Sequence, residues 1–225
     1  PSLHTDSSFC ASRAFRASIE AAMTVLNANE SSNTARLFLR ASYTFFLASL
    51  DSFVEPEIIA KEVADGIAKN PDIDFITVTA NGEPTLYPRL YELATLINRL
   101  KGDKKLLILS NGSTVTDKKT VETLKLFDVV KLSLDSALDG SFKKIDRADR
   151  VNVSELIDGM AAFKGEFDGT FVLETLFVKN VNDSDKDIEA LNAAYLKIKP
   201  DRIDIGSIDR PPAYRVEGIG ETELK

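Results

Sequence analysis

The chain has few of the side chains that usually carry metal, redox or nucleophilic chemistry. Its 225 residues include one cysteine, Cys10, one histidine, His4, and no tryptophan. A single cysteine excludes a disulfide within the chain and is typical of a reducing compartment, so the sequence predicts a cytoplasmic protein. With His4 as the only histidine, a Ser-His-Asp triad is not predicted.

Long apolar runs and positive charge are also lacking. The longest apolar stretch, Tyr43–Leu50, is far shorter than the roughly 20 residues that cross a bilayer, and no secretory signal is visible. The net charge is −7 and the pI is about 4.9, which argue against a nucleic-acid or anionic-membrane surface. Glycine patterns of the Walker and dinucleotide-binding types are absent. The expected partner is a small-molecule substrate, with no membrane and no clear nucleic-acid surface.

Glycine and lysine are missing from the start of the chain. All 11 glycines and every lysine lie after residue 60, whereas residues 1–53 are crowded with Ser, Ala, Thr and Asn. This opening segment also lacks a regular strand-turn-helix pattern, although Ala11–Ala28 has helical spacing and Leu37–Leu50 fits either a strand or a helix. We therefore predict an atypical segment over 1–53 and a regular domain over 54–225.

From residue 54 onward, apolar periodicity alternates between helix and strand. The predicted helices are 57–69, 89–100, 117–127, 141–145, 154–164 and 185–197, and the predicted strands are 75–79, 106–110, 129–134, 171–178 and 202–207. Alternation of this kind predicts an α/β fold with parallel strands and right-handed crossovers. A barrel or partial barrel needs at least one more strand, which we expect in the N-terminal segment.

The predicted strands end in polar residues, which is where α/β proteins collect their ligands. The first ends at Asn81-Gly82-Glu83 and the second at Ser110-Asn111-Gly112-Ser113. The third holds Lys131, Ser133 and Asp135, which share one face because side chains alternate along a strand. One hypothesis is a polar ligand pocket at this edge. The other is that each residue only caps the following turn or helix.

Five segments carry a resemblance to a known family: Asn81–Leu86, Leu109–Ser113, Lys131–Ser136, Phe177–Asp183 and Asp209–Ala213. In this order and spacing they resemble the radical S-adenosylmethionine (SAM) superfamily, especially the small iron–sulfur oxidoreductases related to wybutosine-synthesis and molybdenum-cofactor enzymes. The resemblance implies a partial (β/α)6 TIM-like barrel, S-adenosylmethionine and a [4Fe–4S] cluster as cofactors, and an electron donor as a possible partner.

The resemblance also implies roles for individual residues. Asn81 and the run Gly82-Glu83-Pro84 would bind the amino group of S-adenosylmethionine. Ser110 and Asn111 would lie near its ribose and carboxylate. Ser133 and Asp135 would lie further along the same cleft.

The cysteine content departs from the family. Its members hold the cluster with three cysteines in a C-x3-C-x2-C loop after the first strand, because soft thiolates bind iron–sulfur clusters. This sequence has only Cys10, so no metal ligands are predicted. One hypothesis is a relative without a cluster. The other is an upstream reading-frame shift, since the codons of Met23–Ala28 read one nucleotide early can encode Asp-Cys-x-x-Cys.

Two functions of other classes stay open at the level of sequence. One is a cofactor-free barrel enzyme in which Lys131 forms a Schiff base beside Asp135 and Glu174, because a desolvated lysine can act as a nucleophile. The other is a barrel that binds a nucleotide without catalysis.

Overall fold

A computed structural model describes the backbone of residues 42–47 and residues 54–80, 82–146, 151–208 and 216–220. Asn81, residues 147–150 and the predicted Asp209–Ala213 motif lie outside the described residues. Within the described residues, six strands alternate with helices, which agrees with the five predicted strands and the further one expected near the N-terminus. Two compact units divide between Leu106 and Leu107.

The described part of the first unit contains two parallel strands and two helices. In chain order they are β1 (Ser42–Leu47), α1 (Pro56–Lys69), β2 (Phe75–Ala80), a 3-10 turn (Pro84–Leu86) and α2 (Leu90–Leu100). β1 pairs with β2 from Ser42 opposite Phe75 to Leu47 opposite Ala80. The strand expected in the N-terminal segment is therefore β1. Strand β3 (Lys105–Ser110) begins in this unit, where the Lys105 N–H donates to the Asp74 carbonyl at 2.9 Å.

The second unit is also built from parallel strands. After β3 come α3 (Lys118–Leu124), β4 (Val129–Ser133), α4 (Asp139–Asp146), α5 (Val153–Glu166), β5 (Thr170–Phe177), α6 (Asp185–Ile198) and β6 (Arg202–Ser207). β3 pairs with β4, β4 with β5 and β5 with β6, all in parallel. The predicted elements agree with these to within a few residues, and the parallel α/β fold is confirmed.

The helix starts in the second unit follow capping chemistry. Asp117 accepts hydrogen bonds from Lys119 N–H and Thr120 N–H before α3, and Asn152 does the same for the start of α5. Ser184 caps α6 by accepting from Asp187 N–H. Side-chain caps satisfy backbone donors that have no partner inside the helix, which fixes where each helix begins after its strand.

The core of the second unit lies between the sheet and α5. Phe163 of α5 and Phe171 of β5 are almost completely buried, with ring centroids 5.5 Å apart in an edge-to-face arrangement, and Phe163 also stacks on Phe167 at 4.8 Å. Burying each such side chain stabilises the fold by about 1.5–3 kcal/mol. Among the described residues, no helix is long and apolar enough to cross a membrane.

Candidate functional site at the strand ends

The turn after β2 is held by a carboxylate of its own. Glu83 Oε1 accepts hydrogen bonds from Thr85 N–H at 3.0 Å and Thr85 Oγ1 at 2.7 Å, which caps the 3-10 turn that begins at Pro84. Gly82 is exposed, and a Cβ added there would meet no atom within 4 Å. The Glu83 side chain thus shapes the turn, while open space adjoins the Gly82 backbone.

Two residues after this turn fix it to the start of α1. The Tyr87 hydroxyl donates to the Val54 carbonyl at 2.7 Å. Arg89 donates to both oxygens of Glu92 at 2.8 and 2.7 Å and also pairs with Glu55. Ion pairs as exposed as those of Arg89 each contribute little stability. The hydrogen bond from the buried Tyr87 is therefore the contact that holds the turn to the start of α1.

The turn after β3 is stabilised in a similar way. Ser110 is buried and its Oγ accepts from Gly112 N–H at 3.0 Å, while Asn111 Oδ1 accepts from Ser113 N–H at 2.9 Å. Gly112 has φ +73, and a Cβ there would lie 2.7 Å from the Met160 methyl. Only glycine fits this position without strain and a clash. The side chains of Ser110 and Asn111 therefore bond the backbone of their own turn, as the capping hypothesis predicts. Asn111 is also exposed.

The face of β4 shows the predicted alternation. Lys131, Ser133 and Asp135 are partly exposed, whereas the residues between them, Leu132 and Leu134, are fully buried. Ser133 and Asp135 therefore lie on the polar side of the sheet edge where β4 ends.

Lys131 is surrounded by carboxylates. Its Nζ lies 3.0 Å from Asp204 Oδ2 and contacts Glu174 Oε1, and Glu174 and Asp204 occupy paired positions on β5 and β6. Asp204 also accepts from Arg202. Partial burial opposes ionisation of Asp204, but hydrogen bonds from Arg202 and Lys131 hold its pKa below the ordinary value. Two facing carboxylates thus share one lysine between them.

Asp135 is the most perturbed of the predicted site residues. Its Oδ1 accepts a hydrogen bond from Leu176 N–H at 2.7 Å. Burial raises the pKa of Asp135 to about 6, with a contribution from the nearby charge of Glu174, while the Leu176 hydrogen bond opposes the rise. This carboxyl therefore changes charge close to physiological pH.

Three residues around Asp135 were not predicted as part of the site. Asn182 donates to the Asp135 carbonyl, and Thr175 Oγ1 donates to the Leu134 carbonyl and bonds the Tyr195 hydroxyl at 2.6 Å. Burial raises the pKa of Tyr195. Asn182 belongs to one of the motifs of the family resemblance, which was the signal available in the sequence. Thr175 and Tyr195 carry no such signal.

The described residues offer no metal site. In the part of the chain that the structure describes, no three His, Cys, Asp or Glu side chains are grouped so that they could hold a metal ion. Cys10, the single cysteine of the sequence, lies outside it.

Comparison with known proteins gives a family and a fold. The sequence matches the radical SAM superfamily over residues 15–191. It is 39% identical over 152 residues to a UPF0026 protein of Helicobacter pylori, which covers 68% of this chain and 49% of that protein. The chain thus spans about half or less of the length of the curated relatives it matches.

Solved structures share the fold at low sequence identity. TYW1 with a lysine-pyruvate adduct bound has a TM-score of 0.56 at 17% identity, over 77% of this chain and 61% of that one. Native anSMEcpe with bound AdoMet (S-adenosylmethionine) has a TM-score of 0.53 at 16% identity, over 76% of this chain and 50% of that one. The strand-helix alternation described above is thus the partial TIM-like barrel of such enzymes.

Proposed function

Because the chain belongs to the radical SAM superfamily, we propose that it binds AdoMet at the carboxyl ends of its strands. The match to the superfamily over residues 15–191 carries this proposal. The proposed site consists of Asn81, Gly82, Glu83, Pro84, Ser110, Asn111, Ser133 and Asp135. Its ligand is a small molecule that presents amino, carboxylate and hydroxyl groups together.

The chemistry of the described residues supports this ligand. The open space beside Gly82 gives an ammonium group access to backbone carbonyls, since no Cβ stands in the way. The exposed Asn111 amide can bond a ribose hydroxyl or a carboxylate. Ser133 and Asp135 are partly exposed on the polar side of β4, where further hydroxyls can bind.

The residues present do not fit the iron–sulfur cluster that the family uses. A [4Fe–4S] cluster of this family needs three thiolates, and the sequence contains one cysteine. No cleavage of AdoMet through a cluster is therefore derived for this chain. A small-molecule substrate in a reducing cytoplasm is part of the proposal. We include an electron donor in the proposal only for a form of the protein that has the three-cysteine loop.

The geometry gives no support to the Schiff-base alternative. A Schiff base requires a lysine nitrogen that is available to a carbonyl substrate. The Lys131 Nζ instead contacts the carboxylates of Glu174 and Asp204, so the structure shows a role in ion pairs across the sheet face.

Calorimetry tests the proposal directly. AdoMet is titrated into the wild-type protein, a Gly82→Val variant and a Gly140→Ala control, since a Cβ meets no atom within 4 Å at either glycine. Saturable binding that weakens tenfold or more in Gly82→Val and stays unchanged in Gly140→Ala is expected. A wild-type protein that releases no heat of binding and retains no AdoMet in equilibrium dialysis would refute the proposal.

A further inference from the structure

One buried amide joins the segments that follow β4 and β5. Asn182 has no exposed surface, although it lies in a loop. Its Oδ1 accepts from Val178 N–H at 2.7 Å, and its Nδ2 donates to the Asp135 carbonyl at 2.6 Å and the Leu176 carbonyl at 2.8 Å. The amide group therefore bonds two backbone groups of its own loop and strand, at Val178 and Leu176, and one distant backbone group, the Asp135 carbonyl.

The contact between these segments runs in both directions. Asn182 bonds the backbone of Asp135, and the Asp135 side chain in turn accepts from Leu176 N–H. Leu134 N–H donates to the Glu174 carbonyl at 2.9 Å. The chain after β4 thus stays hydrogen-bonded to β5 beyond the last residue of its strand. Asn182 supplies the contact at the point where the ladder ends.

The loop that carries Asn182 is shaped for this contact. Val181 N–H and Asn182 N–H both donate to the Val178 carbonyl, at 3.1 and 3.3 Å. Asn180 has φ +58, a left-handed conformation that asparagine adopts more readily than most residues. The amide of Asn182 is consequently held in place before any ligand arrives, so little conformational entropy opposes the contact.

We propose that Asn182 is a positioning residue for the AdoMet site, because it fixes the segment that carries Ser133 and Asp135 against β5. The proposal rests on the proposed function. Asparagine suits the role because an alanine would remove the partner of two part-buried carbonyls and of the buried Val178 N–H. An aspartate would place negative charge against both carbonyls.

A matched control is available at the opposite end of the same strands. Asp201 Oδ2 accepts from Phe171 N–H at 2.7 Å and also pairs with Lys164. Asp201→Ala therefore removes a side-chain bond to the β5 backbone at the amino-terminal edge, whereas Asn182→Ala removes such bonds at the carboxyl-terminal edge. Both variants lose structural contacts, but only one loses them beside the proposed site.

The test measures two quantities on the wild-type protein and both variants. Urea unfolding first sets a temperature at which all three are folded. Calorimetry then gives the Kd for AdoMet, and amide hydrogen exchange followed by NMR gives the protection of Leu176 N–H, the group that Asp135 bonds. Asn182→Ala is expected to raise the Kd about tenfold and to lower Leu176 protection about tenfold, with Asp201→Ala changing neither.

Each outcome decides the inference. Unchanged Leu176 protection in Asn182→Ala overturns it, as does an equal rise in Kd for both variants, because the effect would then be general loss of stability. If the wild-type protein binds no AdoMet, the proposed function falls by itself. Leu176 exchange then decides whether Asn182 positions Asp135, and equal loss of protection in both variants would overturn that role.

Discussion

Replacing Asp135 with asparagine separates the cost of a buried charge from the value of a hydrogen bond. The carboxylate accepts from Leu176 N–H at 2.7 Å, and the carbonyl oxygen of an asparagine can accept the same bond. The substitution therefore keeps the contact and removes the ionisable group. An Asp135→Ala variant removes both, so the comparison of the two variants isolates each contribution.

The sign and size of the effect follow from the pKa of Asp135. Burial raises it from 3.8 to about 6, so between these values the folded protein binds more protons than the unfolded chain. Stability conferred by this carboxyl is present at low pH and is lost as pH rises from about 4 to 6. The rise in pKa from 3.8 to about 6 corresponds to about 3 kcal/mol of stability. Of this, about 0.8 kcal/mol is lost above pH 5.5.

Urea unfolding at about pH 5.5, 6.5 and 7.5 measures this dependence and stays above the pI of about 4.9, where solubility is lowest. The stability of Asp135→Asn relative to wild type is expected to rise by about 1 kcal/mol over this range. Asp135→Ala should run parallel but about 1 kcal/mol lower, because the part-buried Leu176 N–H loses its acceptor. Asp168→Asn, on an exposed turn, controls for the general effect of removing one negative charge. A pH-independent difference between wild type and Asp135→Asn would refute the reasoning.

Three further predictions concern charge, backbone conformation and the N-terminal sequence. Lys131→Met is expected to destabilise the protein by about 1 kcal/mol, measured by urea unfolding, because the partly exposed Glu174 and Asp204 lose the cation they share while Asp204 keeps its bond from Arg202; unchanged stability would contradict this. Gly112→Ala should cost about 1–3 kcal/mol in the same assay, and Gly140→Ala, which meets open space within helix α4, should cost nothing; equal effects would contradict the contact analysis. Intact mass and resequencing of the coding region decide between the two hypotheses for the N-terminal segment: a shifted reading frame upstream of residue 54 would change the sequence, whereas confirmation of the sequence as written would leave a relative without a cluster.

The helices and strands could be predicted because each satisfies a local rule. Polar N-caps such as Asp117 and Ser184 mark where helices begin. Alternating burial along β4 follows from the two-residue period of a strand. A helix predicted to reach residue 127 instead ends at Leu124, since Leu126 and Phe127 N–H bond at the shorter 3-10 spacing. Where a helix ends depends on the hydrogen bonds of its last turn, which apolar periodicity does not reveal.

The polar residues at the strand ends were also predictable, but their bonding was not. Glu83, Ser110 and Asn111 turn their oxygens to backbone N–H groups two residues onward, a short-range choice that competes with ligand binding. Both uses of these residues are consistent with the same sequence. Only the tertiary structure shows that these oxygens bond the backbone of their own turns and that open space adjoins Gly82.

The sequence by itself determined the parallel α/β architecture, the polar strand ends and the shortage of cysteine that conflicts with the family cluster. Periodicity, turn residues and counts are local properties, so they can be read without coordinates. The tertiary structure alone decided that Lys131 is shared by two carboxylates, that partial burial raises the pKa of Asp135 and that Asn182 joins two loops. These facts depend on the register of β4, β5 and β6 and on contacts across more than 40 residues, as in the Asn182–Asp135 pair. Hydrogen bonds at that separation leave no pattern along the chain.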